Sequence, residues 1–313
     1  MAGDSRKVVL AALAGNLGIA VSKFVAAYLS GSIAMIAEGV HSVADSANQG
    51  LLLVGMGLSL RRNPERFPFG RSKERYFWAF IVALVLFFLG GVFAIYEGTH
   101  KLFDTHTEGP RSQLAPLIVL GLSIVFESAS FTVAFREFNK TRAKRSIASA
   151  LLRSKDPTIP IVLLEDTAAL CGLVIAFVAV GLTWWLHNPL ADAIGSIVIG
   201  VLLCGVGSLL VYETHGLLIG EAATPEMRAR ALEIVGSTQG VDAVTQLLTM
   251  HLGPDTIVLA LKVRFRSGSS LEDVERTTDE IEARVRDALP AMKRIFVEAD
   301  GDYDATLDPE VRI

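Results

Sequence analysis

The sequence has 313 residues, 51% of them hydrophobic, and a formal net charge of −4; its mean hydropathy is +0.45. A soluble chain of this length needs a charged surface to cover its core, so this composition argues against an ordinary soluble globule. Cys171 and Cys204 both fall inside apolar runs, which leaves no disulfide framework or cysteine zinc site and makes both thiols packing residues.

The apolar character is unevenly placed. Up to about Gly220 the chain is a series of long apolar runs broken by short loops; beyond it charges crowd in and Pro and Gly punctuate short segments. The expected organisation is a membrane domain over residues 1–220, a soluble domain over 221–300 and an acidic, loose tail over 301–313. Met1 to Lys7 is a short polar lead without the features of a cleavable signal or transit peptide, and on that ground a prokaryotic plasma membrane is expected.

Six runs reach the roughly 20 residues that a spanning helix needs: Val8–Leu29, Ile33–Leu60, Tyr76–Tyr96, Leu114–Phe135, Pro160–Leu186 and Leu190–Tyr212. The connections Ser30-Gly-Ser32 and His187-Asn-Pro189 are so short that the spans they join must be antiparallel neighbours. Basic residues crowd between Arg61 and Arg75, after the second span, and between Arg136 and Lys155, after the fourth. The opposite side offers only Lys101 and Arg111. The positive-inside rule then places both termini and the soluble domain in the cytoplasm.

Polar groups inside the spans carry the chemistry. The second span contains Glu38-Gly-Val-His41-Ser-Val-Ala-Asp45-Ser-Ala-Asn48-Gln49, whose polar residues form one continuous stripe on a helix. Ionisable groups cost at least a few kcal/mol each in hydrocarbon, so such a stripe faces a bundle interior or a wet cavity. His41 and Asp45 are one turn apart and can hold a divalent cation between them. The plainer reading is a polar helix–helix contact. Lys23 in the first span can snorkel to the membrane surface or pair with Glu38, and snorkelling is expected. Glu127 lies near the middle of the fourth span. Glu165 and Asp166 are adjacent carboxylates well inside the fifth. Asp192 opens the sixth, where a helix cap explains it as well as a function does.

The soluble part begins with Thr224-Pro-Glu, a cap followed by proline at the first helical position. Strands are expected over Val241–Leu252 and Thr256–Phe265 around a Gly-Pro-Asp turn, then a charged amphipathic helix from Ser270 to Leu289 and a last strand over Arg294–Glu298. The order α-β-β-α-β fits a small ferredoxin-like α/β sandwich.

An imidazole with several carboxylates suits zinc, and also cobalt, iron or manganese. No His-Glu-x-x-His, Gly-x-Ser-x-Gly or phosphate-binding loop occurs, so an intramembrane site without a catalytic partner points to a transport path and not to an enzyme.

With these residues in view, the chain resembles the cation diffusion facilitators. The resemblance covers nearly the whole length. It rests on His41-Ser-Val-Ala-Asp45, on Phe67-Pro-Phe-Gly70, on the carboxylate of the fifth span and on Leu190-Ala-Asp192-Ala-Ile-Gly-Ser196. Asn48-Gln49, Lys155-Asp156-Pro157 and Leu163-Leu-Glu165-Asp166-Thr-Ala-Ala169 are most similar to its zinc transporter nine branch. The resemblance implies a six-helix metal/proton antiporter with a ferredoxin-like cytoplasmic domain, working as a homodimer in a lipid bilayer. Its cargo would be zinc, with manganese, cobalt or iron as alternatives; no prosthetic group and no nucleic-acid partner are implied. The transport site carried over is His41, Asp45 and Asp166.

The chain departs from the family pattern at several positions. The usual fourth ligand, four residues before the carboxylate of the fifth span, is Val162 here. Glu165, about 100° round the helix from Asp166, Glu127, water and Asn48 are the candidates to replace it, and Glu165, Glu127 and Asn48 are also candidates to relay protons. A loop metal site of some relatives has Phe67 and Arg71 in place of histidines. In the soluble domain Lys262 stands at one histidine position, Glu298 at another, and Asp300 matches an aspartate. His251, before a Gly-Pro turn, reads as structural. The rival class is a non-transporting metal sensor or assembly protein with a vestigial membrane site.

Overall fold

A computed structural model describes residues 2–30, 33–103, 114–142, 146–147, 151, 154–186 and 190–301. The short first and fifth connections and the acidic tail beyond residue 301 lie outside the described residues. Two compact units are present, Met1–His215 and Gly216–Ile313.

The first unit is helical: α1 (Ala2–Ser30) and α2 (Ile33–Ser59), α3 (Glu74–Phe103), then α4 (Leu114–Thr141), α5 (Thr158–Leu186) and α6 (Leu190–Ile219). Four stretches among the described residues are long and apolar enough to cross a membrane: Glu74–Phe103, Pro116–Lys140, Thr158–Leu186 and Leu190–Ile219. In α1 only the shorter run Val9–Val25 is comparably apolar, and α2 is interrupted by its polar stripe. Six spans therefore exceed what length and apolarity alone establish here.

The exposure pattern of α2 is inverted relative to a soluble helix. Ser42, Ser46, Asn48 and Gln49 are buried, whereas Val43 is 46% exposed. Water would drive the opposite arrangement; a lipid environment favours polar side chains turned into the bundle and aliphatic ones turned outward.

α1 packs on α2, and α4 on α5. α3 and α6 run antiparallel and approach closely through glycines at heptad spacing. A Cβ at Gly91 would sit 2.7 Å from the Cys204 amide nitrogen, and one at Gly200 would sit 2.7 Å from the Gly91 carbonyl oxygen. Gly98 meets Ala193 and Ile197 in the same way, and Gly207 meets Phe87. Within this seam, Leu86–Val92 of α3 is π-helical, a local widening accommodated around Gly90-Gly91.

The start of α5 is fixed to the start of α3. Asp156 Oδ1 accepts from the Thr158 amide, capping α5, while its Oδ2 takes a 2.7 Å ion pair from Arg75. Tyr76 Oη donates to the Lys155 carbonyl at 3.0 Å. This gives the Lys155-Asp156-Pro157 sequence a mechanical role.

The second unit follows the order α7 (Pro225–Gly236), β1 (Val241–Gly253), β2 (Thr256–Phe265), α8 (Leu271–Ala288) and β3 (Met292–Ala299). β1 pairs antiparallel with β2 and β3 parallel to it, in the order β1-β2-β3. A parallel neighbour requires a crossover, which α8 supplies. Caps set the helix starts: Thr224 Oγ1 accepts from the Met227 amide, and Ser270 and Asp273 form a reciprocal capping box. Ile257, Leu259, Leu261 and Val263 alternate inward along β2 and pack with Ile234, Val235, Ile281 and Val285. The other sheet face leaves Leu248, Met250 and Phe296 exposed, and Ala260 of β2 joins Leu248 and Phe296 in one cross-strand row.

Candidate metal centre

Polar residues of α1, α2, α4 and α5 converge in the interior of the first unit. Helical periodicity puts Asp45 and Asn48 on the inward side of α2, and the opening turns of α5 bury both Glu165 and Asp166, at 4% and 5% exposure. Glu127, from the middle of α4, is buried as well. Asn48 Nδ2 donates to Glu165 Oε1 at 2.7 Å. Glu165 lies within electrostatic reach of Asp45, Asp166 and Glu127, and Asp166 within reach of Glu127 and Asp45. Glu165 Oε2 and Asp166 Oδ2 are buried and accept no hydrogen bond from the protein.

Four carboxylates crowded in a poorly solvated interior repel one another, and a cation or bound protons relieve that repulsion. The donor set is all oxygen among the described side chains, which hard and borderline divalent ions accept. The backbone of His41 lies in α2, one turn before Asp45; the side chains of His41 and Glu38 lie outside the described residues. Among the described residues no group of three or more His, Cys, Asp or Glu is close enough to hold a metal ion.

Two expectations change. Lys23 does not snorkel: it is 1% exposed, its Nζ donates to Ser42 Oγ at 2.8 Å and it pairs with Glu127 at 3.6 Å. The reason is that a partner carboxylate on α4 holds the ammonium more strongly than the distant membrane surface can. Asp192 makes a contact beyond any cap, receiving Lys101 of α3 at 3.4 Å. For Lys23 the sequence suggested the membrane surface or Glu38 and did not point to Glu127. A lysine in an apolar run was the available signal, but its partner lies on a helix far away in sequence.

Val162 is 1% exposed and belongs to an apolar cluster with Val9, Leu52, Met56, Val82, Ile161 and Leu210. Leu52 and Met56 come from the second half of α2, Val82 from the first half of α3, Ile161 and Val162 from the start of α5, Val9 from the start of α1 and Leu210 from the last third of α6. The position of the missing ligand is thus filled by hydrocarbon, which closes the cluster on that side.

The other departures have physical counterparts. Arg71 stacks on the Phe67 ring at 4.9 Å, so these two residues make a cation–π contact in a turn closed by Gly70 at φ 89°. Lys262 pairs with Glu298 at 3.5 Å and Asp300 at 3.1 Å, an ammonium between two carboxylates. His251 is buried, its Nδ1 within 3.2 Å of the Gly253 carbonyl oxygen and its amide bonded to the Glu221 carbonyl; it anchors the end of β1.

Comparison with known proteins gives the class. Residues 9–219 match the model of the cation efflux transmembrane domain, and residues 223–301 that of the cation efflux protein cytoplasmic domain. The chain belongs to the cation efflux family, the cation diffusion facilitators. It is 33% identical over 284 residues to the human protein named proton-coupled zinc antiporter SLC30A9, mitochondrial, covering 88% of this chain and 50% of that one. Metal tolerance protein C4 of Arabidopsis thaliana is 33% identical over 276 residues, with 88% of this chain and 60% of that protein covered. Magnetosome protein MamB of Magnetospira sp. is 24% identical over 284 residues, 90% of each chain. The chain spans about half the length of the human relative.

Proposed function

We propose that this protein exports a divalent cation, zinc foremost, in exchange for protons, at a site formed by His41, Asp45 and Asp166 with Glu165 taking the place of the missing fourth ligand. The observation that carries this reading is the convergence of half-buried Asp45 of α2 with the buried carboxylates of α4 and α5, two of which keep an oxygen free of protein donors. The name of the human relative supports zinc and proton coupling. Manganese, cobalt and iron suit the same donors and belong in the assay.

Metal binds deprotonated carboxylate and neutral imidazole, so metal and protons compete for the same atoms. Alternate opening of such a site to the two sides converts competition into exchange. Outward export follows if the apolar cluster around Val162 opens to load the ion from the cytoplasm. The reading includes six spans with cytoplasmic termini, a ferredoxin-like soluble domain, and a homodimer in which the exposed Leu248–Phe296 face meets a second copy. A prokaryotic plasma membrane remains part of it.

One observation favours the rival sensor reading: the fourth ligand position is packed hydrocarbon. Uptake of divalent ions by proteoliposomes under an imposed pH gradient separates the two. Saturable, gradient-driven zinc uptake that Asp45→Ala abolishes supports transport. Metal binding without uptake supports a sensor.

A further inference from the structure

Buried lysines are rare because an ammonium loses its hydration, and one is retained where a specific negative partner holds it. Lys23 is 1% exposed. Its Nζ is held between Ser42 Oγ of α2 at 2.8 Å and Glu127 of α4 at 3.6 Å. Glu127 in turn acts electrostatically on both Glu165 and Asp166. Glu127 therefore ties Lys23 to the carboxylate cluster proposed as the transport site, and Lys23 approaches from a helix that contributes none of the four carboxylates.

A positive charge there has two consequences. With no ion bound, it offsets part of the repulsion among Asp45, Glu127, Glu165 and Asp166. With a divalent ion bound, it repels that ion through a poorly screened interior. Both effects weaken net binding, the first by stabilising the empty site and the second by destabilising the filled one. A transporter needs such weakening, since an ion held among several uncompensated carboxylates leaves slowly.

We propose that Lys23 is a resident counter-cation of the transport site, setting metal affinity low enough for rapid release. It does so without touching the ion, as a positioning charge that acts through Glu127 and across space. The proposal rests on the carboxylate cluster being the transport site.

The test uses full-length protein in proteoliposomes, with zinc as the probe, and compares wild type, Lys23→Gln, Lys23→Arg and the pair Lys23→Gln/Glu127→Gln. Lys23→Gln should lower the apparent KM about tenfold or more and lower the maximal rate with it, because release becomes limiting. Lys23→Arg keeps the charge and should stay within about threefold of wild type. The double variant restores the net charge of the wild-type cluster and should return KM to within about threefold; it also removes both members of the buried pair, so it reads out even if Lys23→Gln does not fold. An unchanged or raised KM in folded Lys23→Gln, or a KM raised tenfold or more in the double variant, overturns the proposal. If wild type takes up no divalent ion saturably, the transport reading itself fails, and this proposal fails with it.

Discussion

Asn48 on α2 and Glu165 on α5, 117 residues apart in sequence, share a 2.7 Å hydrogen bond in the interior of the helical unit. The amide holds one carboxylate oxygen and leaves the other, Oε2, without a protein donor. That division is what a metal ligand requires: one oxygen to fix orientation and one to offer. Asn48→Ala is expected to leave Glu165 in place but free to rotate, weakening zinc binding about 10- to 150-fold, the worth of one buried hydrogen bond to a charged group. Titration of purified protein with zinc measures it.

Glu165→Gln keeps shape and hydrogen bonding but cannot release a proton. If Glu165 completes the metal shell, this change lowers affinity at all pH values; if it carries the coupled proton, affinity survives and the pH dependence of transport flattens. We expect the first outcome. Uptake kinetics across a pH series distinguish the two, and no change in either quantity would make Glu165 structural.

Asp45→Ala and Asp166→Ala should each abolish saturable transport while leaving the protein folded. Removing a buried carboxylate also removes its burial cost and relieves its like-charged neighbours. Size-exclusion profiles checked beside uptake assays decide this, and near-normal uptake by Asp166→Ala would exclude α5 from the site.

The Arg75–Asp156 ion pair, with the cap on Thr158, joins the starts of α3 and α5. Asp156→Ala removes a helix cap and leaves the largely buried Arg75 without this partner, and should cost about 2–4 kcal/mol. Asp156→Asn keeps the cap and loses the charge, and should cost less. Thermal unfolding in detergent ranks the two; a wild-type midpoint in Asp156→Asn would show that the pair contributes nothing beyond the cap.

Residues from about Glu221 onward carry their own core and capped helices, so this fragment should fold and dimerise, at least weakly, without metal. Its pH profile follows from two groups. Hydrogen bonds from Ser270 hold the Asp273 carboxyl below the usual aspartate range, a contribution present above the unfolded-state pKa of about 3.9 and lost as pH falls through the lower folded value. A hydrogen bond to Asp300 raises Lys262 above the usual lysine range. Its contribution is full below about pH 10.4 and is lost as pH rises through the folded value. Urea unfolding of the fragment and of Ser270→Ala should show the acid-side loss shrinking in the variant. Tight stoichiometric zinc binding to the fragment would contradict the Lys262–Asp300 pairing.

Features that depend on neighbours along the chain are legible in the amino-acid order. Apolar run length, the polar stripe of α2, the Thr224 and Ser270 caps and the alternation along β2 are all local, since helix and strand periods act over a few residues. The motif around His41 and Asp45 carried the family for the same reason. The tertiary structure decided which polar groups meet. Glu165 and Asp166 differ by about 100° on one helix, and nothing in α5 alone says that both are buried or that Asn48 reaches the first of them. Lys23 could equally have pointed to the membrane surface, and only the placement of α4 supplied Glu127 as its partner. The α3–α6 seam is similar: glycines at heptad spacing are visible in each helix, but their close approach exists only once the two are packed. A buried charge is settled by the nearest opposite charge in space, and the chain order of a helical bundle does not state which one that is.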